Sequence, residues 1–369
     1  MRKLLRHLLL KPVLWLTNRF SSRPDRQRVF TALSELLAHI LKGDKKKGLV
    51  VPFDIHTGKY IIFSDQHKGA CNGADDFMVC AERYGAALDY YYQNGYHYIA
   101  LGDCEELWEN TLTPVKKAHR HSFEKEKQFL PKNAFIKIFG NHDLFWSNDP
   151  FAPFQLKDIY GMDVPIYEGV VLQTTVNNQT LNIFCTHGHQ GDKVSDGNWF
   201  SKFFISKVWA PLQSYLGINP NTPAYDASLK TEHNALMYEW SVQQKNLLLI
   251  TGHTHQPVFE SLTHLERLYR QLLFARQVSD KEMTESLQRE IETRRFKYNE
   301  VSEEYGKLKP TYFNSGCCCF SDGDISGIEI EGNCLRLIEW QVKEGAVHRV
   351  ILEEAALDEL LEAINGGSQ

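Results

Sequence analysis

Short apolar runs that end in polar loops recur along the chain, and their spacing predicts the elements. Tyr60-Ile61-Ile62-Phe63 leads into Ser64-Asp65-Gln66-His67, and residues 96–101 lead into Gly102-Asp103-Cys104-Glu105-Glu106. The alternating run Ala134-Phe135-Ile136-Lys137-Ile138-Phe139 opens into Gly140-Asn141-His142-Asp143. Leu181-Asn182-Ile183-Phe184-Cys185 opens into Thr186-His187-Gly188-His189-Gln190-Gly191-Asp192, and residues 247–250 into Thr251-Gly252-His253-Thr254-His255. Each run has strand character. Between them, Phe77, Cys80, Tyr84, Leu88 and Tyr91 recur at helical spacing over 75–94, and residues 27–41 and 115–130 also read as helices. Strands alternating with helices predict a layered α/β fold whose strand ends carry the chemistry.

The rest of the pattern divides the chain. Residues 199–209 are dense in aromatic side chains and predict helices running on to about residue 244. From 261 to 305 the sequence turns charged, with Leu262, Leu265, Leu268, Tyr269 and Leu272 at helical spacing; Ser279 followed by Glu282 has the form of a capping box for a second helix through Leu287 and Ile291. The expected organisation is a basic helical segment at 1–48, a core at 49–260 with a helical cap region at about 193–245, an inserted helical hairpin at 261–305, and a return of the core sheet with a closing helix at 306–369. The hairpin is open to three uses: covering the site, pairing two copies, or reaching a partner.

Charge changes this picture at one end. The 369 residues carry a net charge of −5, but residues 1–50 hold twelve Lys and Arg against Asp25, Glu35 and Asp44, which is +9 and leaves −14 for the remainder. Within residues 1–20, Leu4, Leu5, Leu8, Leu9, Val13 and Leu16 fall at helical spacing beside Arg2, Lys3, Arg6 and Lys11. Basic residues interrupt each apolar run too early for a cleavable signal or a membrane span. The segment is either an amphipathic helix on an anionic membrane surface or a helix docked on the body or a second subunit. An acidic body argues against a phosphate-tracking groove for nucleic acid. Eight cysteines with no CxxC pair, three of them the run Cys317-Cys318-Cys319, do not form a disulfide framework and point to a reducing, cytoplasmic setting; the run itself reads as small packing residues.

Set side by side, the loops read Asp65-x-His67, Gly102-Asp103-x-x-Glu106, Gly140-Asn141-His142-Asp143, His187 and Gly252-His253-x-His255. This order resembles the calcineurin-like metallophosphoesterase superfamily over about residues 61–320. The resemblance implies an α+β, four-layer fold: two mixed β-sheets packed face to face, helices outside. It implies two divalent metal ions, one held by Asp65, His67 and His255, the other by Asn141, His187 and His253, with Asp103 bridging. Histidine with carboxylate suits Mn²⁺, Fe²⁺ or Zn²⁺ better than Ca²⁺ or Mg²⁺. The implied reaction is hydrolysis of a phosphoester or diphosphate bond by a hydroxide shared between the metals. His142 is then expected to stabilise the phosphoryl group or protonate the leaving oxygen, oriented by Asp143.

His189 and Asp192 are open between supporting the ligands, contacting substrate, and plain loop roles, whereas Glu106 reads as an acceptor tying its loop to a neighbour. His56, His97, His119, His121 and His233 match no motif and read as ordinary. His187-Gly188 with the later Asp192 and aromatic stretch is similar to UDP-2,3-diacylglucosamine pyrophosphatases, so the substrate is expected to be a phosphorylated small molecule or a lipid-linked diphosphate. The chain departs from that subfamily by carrying His142 where arginine is usual, and by its long hairpin. The alternative of another class is a non-catalytic scaffold of the same fold.

Overall fold

The computed structural model describes residues 24–191, 227–263, 280–295 and 308–366, together with Leu268, Gln271, Leu272, Ala275 and Arg276. The basic segment 1–20, Asp192, the aromatic stretch 199–209 and Ser279 lie outside the described residues. Helix α1 (Arg26–Leu41) starts where the Asp25 carboxylate accepts from the Arg28 N–H at 3.0 Å, and buries Val29, Leu33, Leu36, Leu37 and Ile40 along one stripe. The chain then runs through β1 (Gly48–Pro52), β2 (Lys59–Phe63), a 3₁₀ turn at Asp76–Val79, α2 (Ala81–Gln93) and β3 (His97–Leu101). Helices α3 (Leu112–Ala118) and α4 (Arg120–Lys127) follow, then β4 (Phe135–Ile138), α5 (Phe145–Asn148), α6 (Ala152–Tyr160), β5 (Ile166–Tyr167), β6 (Gly169–Val176) and β7 (Gln179–Thr186). Later come α7 (Ala227–Ser241), β8 (Leu247–Thr251), β9 (Val258–Phe259), β10 (Leu262–Thr263) and α8 (Lys281–Arg295). The chain closes with β11 (Tyr312–Asn314), β12 (Ile325–Glu331), β13 (Cys334–Lys343), β14 (Ala346–Ala356) and α9 (Leu357–Asn365).

These strands form two mixed seven-stranded sheets, ordered β14-β13-β12-β2-β3-β4-β5 and β1-β6-β7-β8-β11-β9-β10. Side-chain alternation sorts each central strand between two cores. Tyr60 and Ile62 of β2 join Ile99, Ile138, Leu172, Ile183, Leu248 and Ile250 in the core between the sheets, and α9 adds Leu357, Leu360, Leu361 and Ile364 to it. Ile61 and Phe63 point the other way, against Tyr84, Leu88 and Tyr91 of α2. On the far side of the second sheet, Val171, Phe184 and Leu249 pack against α1 and against Met237 and Trp240 of α7. The result is four layers, with helices outside both sheets.

Where the structure differs from the sequence pattern, local geometry gives the reason. The helix expected over 115–130 breaks at His119, whose φ of −110° and ψ of 28° separate α3 from α4. The helix expected over 75–94 opens as the 3₁₀ turn before α2 begins. At the start of α8 the Asp280 carboxylate accepts from the Met283 N–H at 3.0 Å. Leu268, Leu272 and Ala275 pack against Leu287 and Ile291 in a separate buried cluster. Among the described residues no helix is long and apolar enough to cross a membrane.

Candidate metal centre

Parallel pairing of β2 with β3 and of β3 with β4, and of β7 with β8 and of β8 with β11, brings the carboxyl ends of these strands together. The loops themselves continue the register, since the Asp65 N–H donates to Gly102 O at 3.0 Å and the His67 N–H to Asp103 O at 2.9 Å. Asp65, His67, Asp103, His253 and His255 all take a positive φ, between 50° and 68°. Non-glycine residues occupy this region at a cost, and such strain concentrates at functional sites. Close approach does the rest: a Cβ on Gly140 would lie 2.2 Å from Asp103 Oδ1, so only glycine lets the β4 loop reach the β3 loop.

Three groups of donor atoms converge, each within 4.8 Å: Asp65 with His67 and His255; Asp103 with His187 and His253; and His67 with Asp103 and His142. Asp65 Oδ1 is 3.2 Å from His255 Nε2, and Asp103 Oδ2 is 3.1 Å from His187 Nε2 and 3.7 Å from His67 Nε2. Both carboxylates are held by backbone: the His253 N–H donates to Asp65 at 3.0 Å and the His142 N–H to Asp103 at 2.7 Å, while the Ser64 hydroxyl also donates to Asp65. His187 Nδ1 donates to Leu101 O at 2.9 Å, so the neutral form of the ring presents its Nε2 lone pair on the side of Asp103. His233 supports the same loop from α7, donating Nε2–H to Gly188 O at 2.8 Å.

Carboxylates and imidazoles face each other throughout the pocket. Burial alone would raise Asp65 and Asp103, but His255 and His187 beside the first, and His187 and His142 beside the second, hold both well below the usual carboxylate range. In return, burial that would lower the rings is overcome by these carboxylates, pushing His187 up to about 9 and His255 up to about 8. His253 and His189 feel burial and their cationic neighbours instead, and both fall, His189 to about 3. Asn141 Oδ1 is a buried atom without a hydrogen-bond partner, His187 Nε2 has only the Asp103 carboxylate beside it at 3.1 Å, and His67 Nε2 faces His255 Nε2 at 3.1 Å. Lone pairs converging beside two carboxylates are the donor set a divalent cation satisfies.

The structure reassigns one pairing. Asp143 does not orient His142; its buried carboxylate accepts from the Cys104 N–H at 2.8 Å and the Gly140 N–H at 2.5 Å, tying the β3 and β4 loops together. Glu106 takes the orienting place: its Oε2 accepts from His142 Nδ1 at 2.7 Å and from His67 Nδ1 at 2.9 Å. Burial opposes its charge, yet the two rings hold it down to about 2. Trp108, which no sequence pattern marks, stacks its ring on His142 at 4.5 Å and 19°. Glu109 and Asp76, equally unmarked, are raised by burial to about 7 and about 6. The only legible signal for Trp108 and Glu109 was their closeness to Glu106. His189 packs between His187 and Phe139, with Nδ1 buried and unpartnered.

The sequence profile of the calcineurin-like phosphoesterase family matches residues 54–257, more than half of the chain and all of these loops. The chain belongs to the calcineurin-like phosphoesterase family. As a member, it is a metal-dependent phosphoric ester hydrolase, and the two mixed sheets flanked by helices are this phosphoesterase's framework. Among solved structures it is similar to vacuolar protein sorting 29 from Cryptosporidium parvum, with 12% identity and a TM-score of 0.35, over 82% of this chain and 99% of that one. No curated protein matches this phosphoesterase.

Proposed function

We propose that the enzyme cleaves a phosphoester or diphosphate bond at a centre for two divalent cations, Mn, Fe or Zn. Asp65, His67 and His255 would hold one, Asn141, His187 and His253 the other, and Asp103 would bridge. The observation that carries this reading is the position of Asp103 Oδ2, within 4 Å of rings from both sets. When bound, such a pair lowers the pKa of water to supply a nucleophile at neutral pH and neutralises phosphoryl oxygens.

The chain's own residues do the rest. Backbone N–H groups fix Asp65 and Asp103, and Leu101 O fixes the His187 tautomer, so the donors need no reorganisation. The side chains of His142 and His255 are 11% exposed whereas Asp65, His67, Asp103 and His187 are at most 4%, so incoming substrate meets His142 at the mouth. With Nδ1 committed to Glu106, its Nε2 is the atom that delivers a proton to the leaving oxygen. Glu106 and Asp103 raise this ring against the pull of burial, which keeps it charged, and Trp108 holds its plane.

Hydrolysis of a phosphomonoester, a phosphodiester and a UDP-linked diacylglucosamine diphosphate, each with Mn²⁺ and with chelator, tests the reading. Turnover of at least one, abolished by chelator, is expected. No turnover of any of them, with no bound metal by elemental analysis, would sink it in favour of a binding scaffold.

A further inference from the structure

One cluster of ligating side chains shares no residue with the centre described above. The loop from β2 to α2 carries Cys71 and Asp75, and the break between α3 and α4 places His119 against them. Their donor atoms lie within 4.8 Å of one another. His119 Nε2 is 2.7 Å from Asp75 Oδ2 and 3.8 Å from Cys71 Sγ, so two side chains of different chemistry aim at one ring nitrogen. The Cys71 N–H donates to Asp75 Oδ2 at 2.6 Å, which fixes the carboxylate, and the Phe77 ring meets the imidazole edge-on at 5.1 Å.

An ion pair between His119 and Asp75 would by itself be an ordinary structural contact. Two observations go beyond it. The Asp75 side chain is fully buried, and its second oxygen, Oδ1, makes no hydrogen bond of good geometry; the Gly69 backbone lies near enough to the carboxylate only to help hold it charged. A buried carboxylate oxygen left unsatisfied costs free energy that a cation would recover. Cys71, by contrast, is exposed and held at a φ of 51°, a conformation unfavourable for a side chain, with its sulfur on the buried pair. The cluster thus has an inner anionic floor, a ring nitrogen and a solvent-facing thiol. A divalent cation arriving there binds the Cys71 sulfur as thiolate and displaces its proton into solvent.

We propose that Cys71, Asp75 and His119 form a further divalent-cation site of zinc type, with a fourth position open to solvent. One sulfur, one imidazole nitrogen and one carboxylate oxygen are the donors zinc takes in three-ligand sites, and the sulfur disfavours Mg²⁺ and Ca²⁺. The ion joins the loop at 71–75 to the start of α4. That loop leads directly into the 3₁₀ turn at Asp76–Val79 that precedes α2, so zinc here orders the start of that turn.

The full chain, saturated with Mn²⁺ and then dialysed against Zn²⁺, provides the test by elemental analysis. Wild type is expected to retain one more zinc ion per chain than Cys71→Ser or His119→Gln. Co²⁺ in place of Zn²⁺ should give a thiolate charge-transfer band that Cys71→Ser loses and Cys319→Ser keeps, which separates this site from the thiols beside His255. Zinc should also slow alkylation of Cys71 in the wild type, a readout that needs no variant to fold. Equal zinc content in wild type and both variants, or Cys71 alkylation indifferent to zinc, overturns the proposal; phosphoesterase activity in the same samples reports separately on the main centre.

Discussion

Replacing Glu106 with glutamine isolates what its charge contributes. Glu106 Oε2 accepts from two imidazoles, His142 at 2.7 Å and His67 at 2.9 Å, and Oε1 is buried with no partner. A glutamine that keeps its oxygen at the Oε2 position preserves both acceptor contacts, removes the charge, and puts its NH2 where the unpartnered Oε1 lies. Hydrogen bonds to charged groups contribute about 1.5–3 kcal/mol against about 0.5–1.5 for neutral ones, so each ring loses roughly 1–1.5 kcal/mol. At about 1.4 kcal/mol per tenfold, that is close to a decade at each ring. Through His67 the apparent affinity for the activating cation should fall about tenfold, and through His142 kcat at saturating metal should fall about tenfold, within the 10- to 100-fold range seen when such supporting partners are lost. The alkaline limb of kcat should also move to lower pH, because the charge that keeps His142 protonated is gone. A Mn²⁺ activation titration followed by a pH profile of phosphodiester hydrolysis reads all three. Unchanged metal activation and unchanged kcat in Glu106→Gln would refute the orienting role.

His142→Ala should leave bound metal unchanged by elemental analysis while slowing turnover by roughly 10²–10⁴-fold, the range for loss of a positioned proton donor. Beneath the centre, Glu105 is fully buried between Lys137 at 2.9 Å and Lys68 at 3.2 Å. Glu105→Ala strands the buried Lys137 cation, while Lys68 keeps its pairing with Glu126, and should cost about 3–5 kcal/mol in urea unfolding. Burial pushes Glu105 up but Lys137 and Lys68 hold it below its ordinary value. Its contribution to stability is therefore present above the ordinary glutamate range and is lost as pH falls through the lowered folded-state value, which acid unfolding of wild type against Glu105→Gln will show.

Much of this framework could be read from the chain because each central strand is a short apolar run that stops at a ligand-type residue. β2, β3, β4, β7 and β8 all have that form, and their loops meet in space. The strands β1 and β6 have no such ending. They pair in parallel at one edge of the second sheet, and β6 is apolar on both faces, with Val170 and Leu172 in one core and Val171 in another. Nothing local marks such a strand. The exchange of Asp143 for Glu106 has a similar origin. Neighbours in sequence on a tight loop point to different partners, and the carboxylate that reaches His142 comes from 36 residues away on the adjacent strand's loop. His119 read as an isolated histidine because its partners Cys71 and Asp75 are 48 and 44 residues distant.

Asp103 is the one carboxylate we propose joins the two sets of donors into a working centre. Elemental analysis of wild type and Asp103→Ala, with hydrolysis measured on the same samples, tests this most directly. Two divalent cations are expected at the centre of the wild type, with loss of both bound metal and turnover in Asp103→Ala. An Asp103→Ala protein that keeps its full metal content and its rate would contradict it.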